Sequence, residues 1–348
     1  MRIAQVAPLY ESVPPKLYGG TERVVYYLTE ELVKLGHEVI LFASGDSQTS
    51  ANLIAPIPEA IRLSKKYKDP IVPHLYMFEE VYKRAELFDV IHFHTEYLHL
   101  PIAVRSNTPF LTTLHGRLDL YEYQPFFRKF KNCPFVSISN SQRKPLPWLN
   151  WQATVYHGLP ENLYKFSPEP GKYLAFLGRI SPEKRPDRAI KIAEKFGMEL
   201  KIAAKVDKVD EEYFKEVIKP LLKSRWVEFI GEINDQEKEE FLGKAYALVF
   251  PIDWPEPFGL VMIEALACGT PVVAWNCGSV PEIIEHGRTG FIVNSIDEAV
   301  LALDNIKNIS RLECRKCFEE RFTSRVMAEN YLKVYMNLVG VQPLRKAV

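Results

Sequence analysis

The chain has 348 residues, of which 47 % are hydrophobic and 25 % charged, a composition typical of a globular protein rather than a disordered one. This length exceeds one ordinary hydrophobic core and predicts two domains. Lys and Arg total 44, as do Asp and Glu, so the net charge gives no support for broad nucleic-acid binding.

The apolar runs, the first residues and the cysteines of the sequence indicate the cellular compartment of the protein. No run approaches the roughly 20 apolar residues of a membrane-spanning helix, and residues 1–7 read as a first strand rather than a signal peptide. The five cysteines are odd in number and scattered, which favours free thiols. Cys314 and Cys317 form a C-x-x-C without a second pair, so we expect no metal or redox site there. We therefore predict a cytoplasmic protein with at most peripheral membrane contact.

Short apolar runs alternate with longer amphipathic ones in the first half, as in parallel strands covered by helices. Residues 3–7 predict the first strand. A loop rich in Pro and Gly follows, and then a helix with Thr21 as its cap and Gly36 at its end. The later predicted strands of this half are 39–43, 90–94, 110–115, 135–139 and 154–157.

The second half repeats the pattern after a polar, Pro-containing stretch at 160–171. Its predicted strands are 173–177, 200–204, 227–230, 247–250, 272–275 and 291–293. Its predicted helices are 186–196, 211–222, 234–243, 259–268, 296–305, 310–321 and 324–338. These two series predict an α/β protein with two Rossmann-like α/β/α domains, 1–165 and 166–348, and a last helix that can cross back to the first. Because open parallel sheets bind ligands at the carboxyl ends of their strands, we expect the domains to face each other across a ligand-binding cleft.

The most informative segment runs from residue 251 to residue 290. A strand end leads there through a proline-restricted turn into a helix that starts near Gly259 and Leu260. The start of a helix attracts anions, because its first N–H groups are free and lie at the positive end of the helix dipole. Glu256 precedes this helix, and we expect Glu264 about two turns into it, where a carboxylate can accept both hydroxyls of a ribose. On composition alone, a helical Glu is more often a solvated surface residue.

Several runs of this sequence resemble the retaining glycosyltransferases of family 4, whose signature is E-x7-E. They are EPFGL at 256–260 with Glu264, ALACGTPVVA at 265–274, GSVPEI at 278–283, GRISPEK at 178–184 and GGTE at 19–22. The landmarks occur in both halves and in the family's order. The resemblance implies the GT-B fold and the transfer of a hexose, glucose or mannose, from a nucleotide diphosphate sugar with retention of configuration.

The resemblance also implies roles for residues of the second half. Glu264 would bind the donor ribose, and Glu256 would contact the transferred sugar. Arg179 and Lys184 would neutralise the leaving diphosphate, and backbone amides at 258–261 would hold the sugar and the diphosphate. The implied donor-binding residues are Gly19, Gly20, Arg179, Lys184, Glu256, Phe258, Gly259, Leu260, Val261 and Glu264.

In the first half, the resemblance implies that Gly20, next to Gly19, lets the loop after the first strand approach the phosphates closely. His115, in the run TTLHG at 112–116, matches the position that faces the donor sugar. The implied catalytic residues are Glu256, His115, Arg179 and Lys184. No covalent role is assigned to Glu256, because the family retains configuration by same-face attack without an agreed protein nucleophile.

No Asp-x-Asp occurs in the chain, so we expect a metal-independent enzyme without a cofactor. We favour a UDP-sugar over a GDP-sugar as the donor, and a soluble or glycan acceptor over a lipid one, because the first half carries only a slight basic excess. The alternatives are a lipid-acceptor glycosyltransferase, a sugar-nucleotide epimerase, a phosphorylase and a non-catalytic sugar-nucleotide-binding protein.

Two further features remain open at the level of sequence. His92, His94, Glu96 and His99 invite a metal site, although ordinary packing against the sheet is favoured, with His94 as a possible acceptor contact. Lys205 stands where many family members have a Gly-rich turn, and it either adds a charge near the nucleotide or points outward. His157 replaces an Asn that is frequent in the family. Both departures leave the donor base open.

Overall fold

The computed structural model describes residues 1–16, 19–62 and 64–340. It divides into two units. Unit 1 is Met1–Pro160 together with Ser324–Val348, and unit 2 is Glu161–Thr323. The break therefore lies a few residues before the predicted domain end, and the last helix is grouped with the first unit.

Unit 1 contains a parallel sheet. Its strands within the described ranges are β1 (Arg2–Val6), β2 (Glu38–Phe42), β3 (Asn52–Ile54), β4 (Val90–Phe93), β5 (Phe110–Leu114), β6 (Phe135–Ser137) and β7 (Trp151–Thr154). Their order is β3-β2-β1-β4-β5-β6-β7, so Ile3 of β1 pairs with Val39 on one side and with Val90 on the other. The strand order reverses between β1 and β4, and open α/β sheets bind ligands at the carboxyl ends of strands at such a point.

Helices cover the sheet of unit 1: α1 (Gly20–Lys34), α2 (Ile71–Tyr82), α3 (Leu100–Ala103) and α4 (Tyr123–Lys129), with a 3₁₀ turn at Ala85–Leu87. On α4, Phe127 is completely buried, and Phe126 and Phe130 pack against the same core cluster. These three side chains are therefore core residues rather than part of an exposed aromatic patch.

Unit 2 contains a second parallel sheet with the order β10-β9-β8-β11-β12-β13. The strands are β8 (Tyr173–Arg179), β9 (Leu200–Lys205), β10 (Val227–Gly231), β11 (Ala245–Phe250), β12 (Val272–Trp275) and β13 (Gly290–Val293). The order reverses between β8 and β11. Their carboxyl ends, which carry Arg179 and the segment from Pro251 onward, therefore meet at the position where this fold binds ligands.

The helices of unit 2 are α5 (Pro186–Phe196), α6 (Glu211–Tyr213), α7 (Lys219–Leu221), α8 (Asp235–Gly243), α9 (Leu260–Ala267), α10 (Val280–Ile283), α11 (Ile296–Asn305) and α12 (Arg311–Arg321). A π-helical turn at Phe214–Ile218 and 3₁₀ turns at Lys208–Asp210 and Ile306–Asn308 complete it. Helix α5 follows the sequence rules at both ends, with Pro186 in its first turn and Gly197 in the left-handed conformation after its last.

Buried arginines and cysteines hold α12 in place. Arg311 donates to the backbone oxygens of Ser167, Gly243 and Ala245 at 2.7–3.0 Å, so its charge is used to satisfy the backbone. Cys314 and Cys317 are buried free thiols, and burial raises the pKa of Cys314 to about 12.

Helix α13 (Ser324–Leu338) packs in unit 1 along α1. The N–H of Ser324 donates to the backbone oxygen of Leu159 at 2.7 Å. Tyr331 and Tyr335, two residues of this helix, are completely buried. Across the described part of the chain, no helix has both the length and the apolar character that crossing a membrane requires.

Some predicted elements were wrong in their bounds. Strand β7 ends at Thr154 instead of starting there, because its partner β6 offers only Phe135–Ser137 for pairing. The predicted helix 211–222 is broken into α6, a π turn and α7, because Pro220 lacks the N–H that a continuous helix needs. Thr21 is not the cap of α1, since the helix already begins at Gly20 with Gly19 as its N-cap. Strand β3 and helix α2 were not predicted.

Candidate functional site

Two loops meet at the switch point of unit 2. One follows β8 and carries Glu183 and Lys184, and the other follows β11 and carries Asp253 to Glu256. The N–H of Asp253 donates to the backbone oxygen of Glu183 at 2.8 Å, which fixes one loop against the other. Residues far apart in the sequence are thereby held at one edge of the sheet.

Lys184 and Glu256 form a direct ion pair at this edge, with the Lys184 ammonium on Oε2 of Glu256. The indole N–H of Trp254 donates to the same oxygen at 2.8 Å. The ammonium also lies 5.4 Å from the Trp254 ring centroid and 5.6 Å from that of Phe250. Only 16 % of the Lys184 side chain and 12 % of the Glu256 side chain are exposed, so this pair is less screened by water than a surface pair.

Helix α9 begins directly after this pair. Gly259, its N-cap, has a φ of 78°, in the left-handed region that favours glycine, and within the described ranges no side chain caps the helix. A β-carbon on Gly259 would lie 2.9 Å from the Met262 side chain and 3.3 Å from Phe250. Phe258 is buried, while Leu260 and Val261 stay partly exposed. The start of α9 therefore offers backbone N–H groups that no described side chain caps and that can donate to a ligand.

A third segment, Gly278 and Ser279 after β12, packs against the backbone of Glu256. A β-carbon on Gly278 would lie 2.4 Å from the backbone nitrogen and 2.5 Å from the backbone oxygen of Glu256, so only glycine fits. The N–H of Ser279 donates to that oxygen at 3.0 Å, and its hydroxyl donates to the backbone oxygen of Phe258 at 2.7 Å. The position of Glu256 is therefore set by the backbone on both sides.

Glu264 is buried, with 4 % of the residue exposed, and is not a solvated surface residue. The Lys238 ammonium, from α8, lies 3.0 Å from its Oε1, and the Tyr164 hydroxyl donates to the same oxygen at 3.4 Å. Glu264 lies one turn into α9 rather than two, because the helix begins at Leu260 and not beside Glu256. Sequence reasoning missed Lys238 and Tyr164, which no local motif marks.

Arg179 lies among acidic side chains. Its guanidinium is 3.5 Å from Glu183, 3.8 Å from Asp207 and 3.6 Å from Asp210, and about a third of it is exposed. Lys205 also pairs with Asp207, at 2.9 Å. The two predicted diphosphate ligands of this unit therefore have different partners: Lys184 pairs with Glu256, and Arg179 lies near the carboxylates of Glu183, Asp207 and Asp210.

In unit 1, polar side chains gather at the switch point between β1 and β4. Glu96, after β4, has a φ of 53°, which is rare for a residue other than glycine and is found at functional sites. Its Oε1 accepts hydrogen bonds from the N–H groups of His115 and Gly116 at 2.9 and 3.0 Å. Burial raises the pKa of Glu96 to about 7. Glu96 thus holds the loop that carries His115.

The histidines of this region form hydrogen bonds with one another and with the sheet. The His92 and His94 rings are 4.0 Å apart, His94 Nδ1 lies 2.9 Å from His115 Nε2, and the His115 ring stacks on His157 at 5.3 Å. His99 is instead bonded to hydroxyls, with its Nε2 2.8 Å from Oγ1 of Thr112. Among residues 1–16, 19–62 and 64–340, no group of three or more His, Cys, Asp or Glu side chains is arranged to hold a metal ion.

The GGTE run lies at the start of α1. A β-carbon on Gly19 would lie 2.8 Å from Cβ of Pro15, so glycine is needed there for packing, and Gly20 is the first helical residue. Glu22 is buried, and its Oε1 accepts from the N–H of Glu11 at 3.3 Å. Burial raises the pKa of Glu22 to about 7. The phosphate contact of Gly19 and Gly20 stays a prediction.

Comparison with known families gives two consecutive matches. Residues 18–150 match the model of glycosyltransferase family 4, and residues 164–321 match that of the glycosyl transferases group 1. An uncharacterized glycosyltransferase of Methanocaldococcus jannaschii is 26 % identical over 84 % of this chain and 85 % of its own. The alpha-maltose-1-phosphate synthase of Mycolicibacterium smegmatis is 25 % identical over 96 % of this chain and 99 % of its own.

Solved structures show the same fold. HepE of Anabaena, described in complex with UDP and glucose, superposes with a TM-score of 0.74 at 18 % identity, covering 97 % of this chain and 100 % of its own. Two parallel sheets with helices, in this order along the chain, are the GT-B architecture. The two family matches account for most of the sequence, in the same order as the two sheets. The chain therefore belongs to the group 1, family 4 glycosyltransferases.

Proposed function

We propose that this glycosyltransferase is a retaining hexosyltransferase that uses a nucleotide diphosphate sugar, with UDP-sugars favoured over GDP-sugars. One observation carries the proposal. Two lysine–carboxylate pairs, Lys184 with Glu256 and Lys238 with Glu264, flank the start of α9, which no side chain of the described residues caps.

The electrostatics of this arrangement suit a diphosphate. A helix start attracts anions, and Lys184 adds an ammonium group, paired with Glu256, in a partly dry environment. A unit charge about 4 Å from an anion, in an effective dielectric near 20, contributes roughly 4 kcal/mol of attraction. This attraction grows as the leaving diphosphate gains charge, so it favours the transition state over the bound donor.

We assign the reaction as follows. The bond between the anomeric carbon and the diphosphate oxygen breaks, and its electron pair goes to that oxygen. The acceptor hydroxyl oxygen bonds the anomeric carbon on the same face, and its proton leaves with the departing diphosphate. Lys184 and the amides of residues 258–261 stabilise the leaving group, and Glu256 contacts the transferred sugar without forming a covalent bond to it.

Glu264 is the proposed ligand of the donor ribose. Its burial and its pairing with Lys238 hold the carboxylate in a fixed position, from which it can accept hydrogen bonds from two hydroxyls. Arg179 can add charge at the diphosphate only by exchanging part of its contact with Glu183, Asp207 and Asp210. We therefore assign Lys184 the larger share of leaving-group stabilisation.

The preference for UDP and a hexose rests on relatives. HepE of Anabaena is described with UDP and glucose, and the Mycolicibacterium smegmatis relative is an alpha-maltose-1-phosphate synthase. The first description points to a uridine nucleotide and glucose, and the second name points to a product built from glucose units. For the acceptor we propose a soluble molecule or a glycan. A lipid acceptor, an epimerase, a phosphorylase and a non-catalytic sugar-nucleotide-binding protein are the competing functions.

A thermal-shift screen across UDP-, GDP- and ADP-sugars tests the proposal. Ligand at about 100 times its Kd stabilises the folded state by about 2.7 kcal/mol, enough for a shift of a few degrees. We expect a UDP-hexose to give the largest shift and the Glu264→Gln variant to lose most of it. Glu240→Gln, whose side chain is 71 % exposed on α8, is the matched control and should keep the shift.

Activity assays with the stabilising donor then separate the functions. Release of the nucleoside diphosphate with sugar transfer to an acceptor supports the proposal. Isomerisation of the donor without an acceptor indicates an epimerase, and a requirement for inorganic phosphate indicates a phosphorylase. Failure of every nucleotide sugar to shift the melting temperature would contradict the proposed function.

A further inference from the structure

A buried chain of hydrogen bonds in unit 1 links helix α13 to His115. Oε1 of Gln5 lies 2.8 Å from His94 Nε2, and His94 Nδ1 lies 2.9 Å from His115 Nε2. At the other end, Nε2 of Gln5 donates to the Tyr335 hydroxyl at 3.0 Å, and that hydroxyl lies 2.7 Å from Nδ1 of His92. Gln5, His92, His94 and Tyr335 are each no more than 1 % exposed.

The Gln5 amide gives this chain a direction. Its NH₂ group can only donate and its oxygen can only accept. Because Nε2 of Gln5 donates to the Tyr335 hydroxyl, the Gln5 oxygen must accept a hydrogen bond from the N–H at Nε2 of His94. Burial lowers the pKa of His94 well below its ordinary value, so the ring is neutral and carries no second proton. His94 Nδ1 is therefore an acceptor, and the proton between the two rings belongs to Nε2 of His115.

The same reasoning defines the other nitrogen of His115. Burial lowers the pKa of His115 to about 3, so its ring is neutral with its single proton on Nε2. Nδ1 then carries a lone pair. This nitrogen is buried and has no hydrogen-bond partner within the part of the chain that the structure describes, although the residue as a whole is partly exposed. A lone pair without a partner, on a residue that is itself partly exposed, can accept a hydrogen bond from a bound ligand.

We propose that Gln5 and Tyr335 are positioning residues that hold the His115 proton on Nε2, so that Nδ1 accepts a hydrogen bond from a hydroxyl of the sugar substrate. The identity of that ligand rests on the proposed function. The tautomer of His115 follows from the geometry of unit 1 alone.

Tyr335, at the other end of this hydrogen-bond chain, connects helix α13 to the orientation of the Gln5 amide. Because the Tyr335 hydroxyl accepts a hydrogen bond from Gln5, it donates its own hydrogen bond to His92 Nδ1. His92 Nε2 then donates a hydrogen bond to Oγ1 of Thr113 at 2.7 Å. Rotating the Gln5 amide by half a turn would reverse every donor and acceptor in the chain. His115 would then present an N–H at Nδ1 and could no longer accept from a hydroxyl.

The first experiment is ¹⁵N NMR of the full-length protein with labelled histidine, with His115 assigned by its absence in the His115→Gln variant. Protonated and unprotonated ring nitrogens have well-separated ¹⁵N shifts. We expect a protonated Nε2 and an unprotonated Nδ1 at His115. A protonated Nδ1 in the wild-type protein would overturn the inference without reference to any variant.

Gln5→Met is the variant that should free the His115 tautomer from control by the Gln5 amide. It takes away the acceptor of the His94 Nε2–H. Either tautomer then leaves one buried N–H without an acceptor, on Nε2 of His94 or on Nδ1 of His115, so neither is favoured and both should be populated. We expect the NMR signals to show both tautomers of His115, and turnover of the nucleotide sugar to fall about twofold, in proportion to the fraction of molecules protonated at Nδ1. Affinity for the nucleoside diphosphate alone should stay within about twofold, because neither Gln5 nor His115 is among its proposed contacts.

Tyr335→Phe should also give both tautomers, because Gln5 loses the acceptor that fixes its orientation. Tyr82→Phe is the matched control: its hydroxyl is buried without a hydrogen-bond partner in the described ranges, so the tautomer and turnover should not change. A residue with a merely structural role would lower stability without moving the ¹⁵N signals. Unchanged signals in both Gln5→Met and Tyr335→Phe would overturn the assignment of these residues.

The two proposals fail in different ways. If no nucleotide sugar binds but the wild-type tautomer is as expected, the proposed function is wrong and the positioning of His115 stands. If the donor binds in unit 2 and His115 carries its proton on Nδ1, only the present inference is wrong.

Discussion

Replacing Lys184 by Met tests the proposed donor site most directly. Met keeps most of the apolar stem of Lys184 but removes the ammonium that lies over the Trp254 and Phe250 rings. In the wild-type protein the ammonium and the Glu256 carboxylate cancel locally. In the variant, Glu256 is left uncompensated beside the start of α9, and it repels the diphosphate that Lys184 would have attracted.

The expected magnitude follows from the pair's surroundings. The raw attraction of roughly 4 kcal/mol at 4 Å is reduced somewhat because the side chains remain 16 % and 12 % exposed. Removing one preorganised contact of this kind typically costs ~3 kcal/mol. We therefore expect the Kd for the nucleoside diphosphate, measured by calorimetry, to rise roughly a hundredfold.

Variants of Glu256, the ion-pair partner of Lys184, separate the effect of the lost contact from that of the uncompensated carboxylate. Glu256→Gln leaves a net positive pair and should bind the diphosphate at least as tightly as wild type, while losing sugar transfer. The double variant lacks the repulsion from Glu256 but also the contact with Lys184, so it should bind more tightly than Lys184→Met and less tightly than wild type. Lys215→Met, which removes a 64 % exposed lysine paired with Glu211 at 3.0 Å, is the control. A Kd for Lys184→Met within twofold of this control would refute the reasoning.

Three further variants test other parts of the structure. Lys238→Met leaves the buried Glu264 carboxylate without its cation and should lower the free energy of unfolding by about 3 kcal/mol, measured by urea denaturation. Gly278→Ala places a β-carbon 2.4 Å from the backbone nitrogen of Glu256 and should cost roughly 3 kcal/mol in the same assay while weakening donor binding. Glu22→Gln should stabilise the protein at pH 8 by up to about 3 kcal/mol and leave it unchanged at pH 4. The pKa of Glu22 is raised from its ordinary value to about 7, so wild-type stability falls as the pH rises from about 4.5 through 7.

Each of these variants has a matched control. Lys244→Met removes a 67 % exposed lysine at the end of α8, and Gly178→Ala adds a β-carbon that meets nothing within 4 Å. Glu79→Gln neutralises a 64 % exposed carboxylate on α2. Each control should change the free energy of unfolding by less than about 0.5 kcal/mol. A variant that behaves like its control would show that the contact invoked for it is not made.

The sequence by itself determined the elements of unit 2 with little error. The predicted helix 296–305 and Ile296–Asn305 of α11 coincide, and the predicted strand 272–275 coincides with Val272–Trp275 of β12. Apolar periodicity and capping residues act within a few positions of the chain, so they can be read without the fold. The E-x7-E spacing likewise indicated that Glu256 precedes a helix and that Glu264 lies inside it.

Only the tertiary structure decided which groups meet. Lys184 and Glu256 are 72 residues apart, and Gln5 and Tyr335 are 330 apart, and no local pattern links either pair. The sheet order brings β8 beside β11 and β1 beside β4, and α13 packs in unit 1. Long-range contacts of this kind depend on the order of the strands and the path of the chain between them, whereas helix and strand formation depends on neighbouring residues. The family and its motifs were therefore legible in the sequence, and the charge pairs and the tautomer of His115 were not.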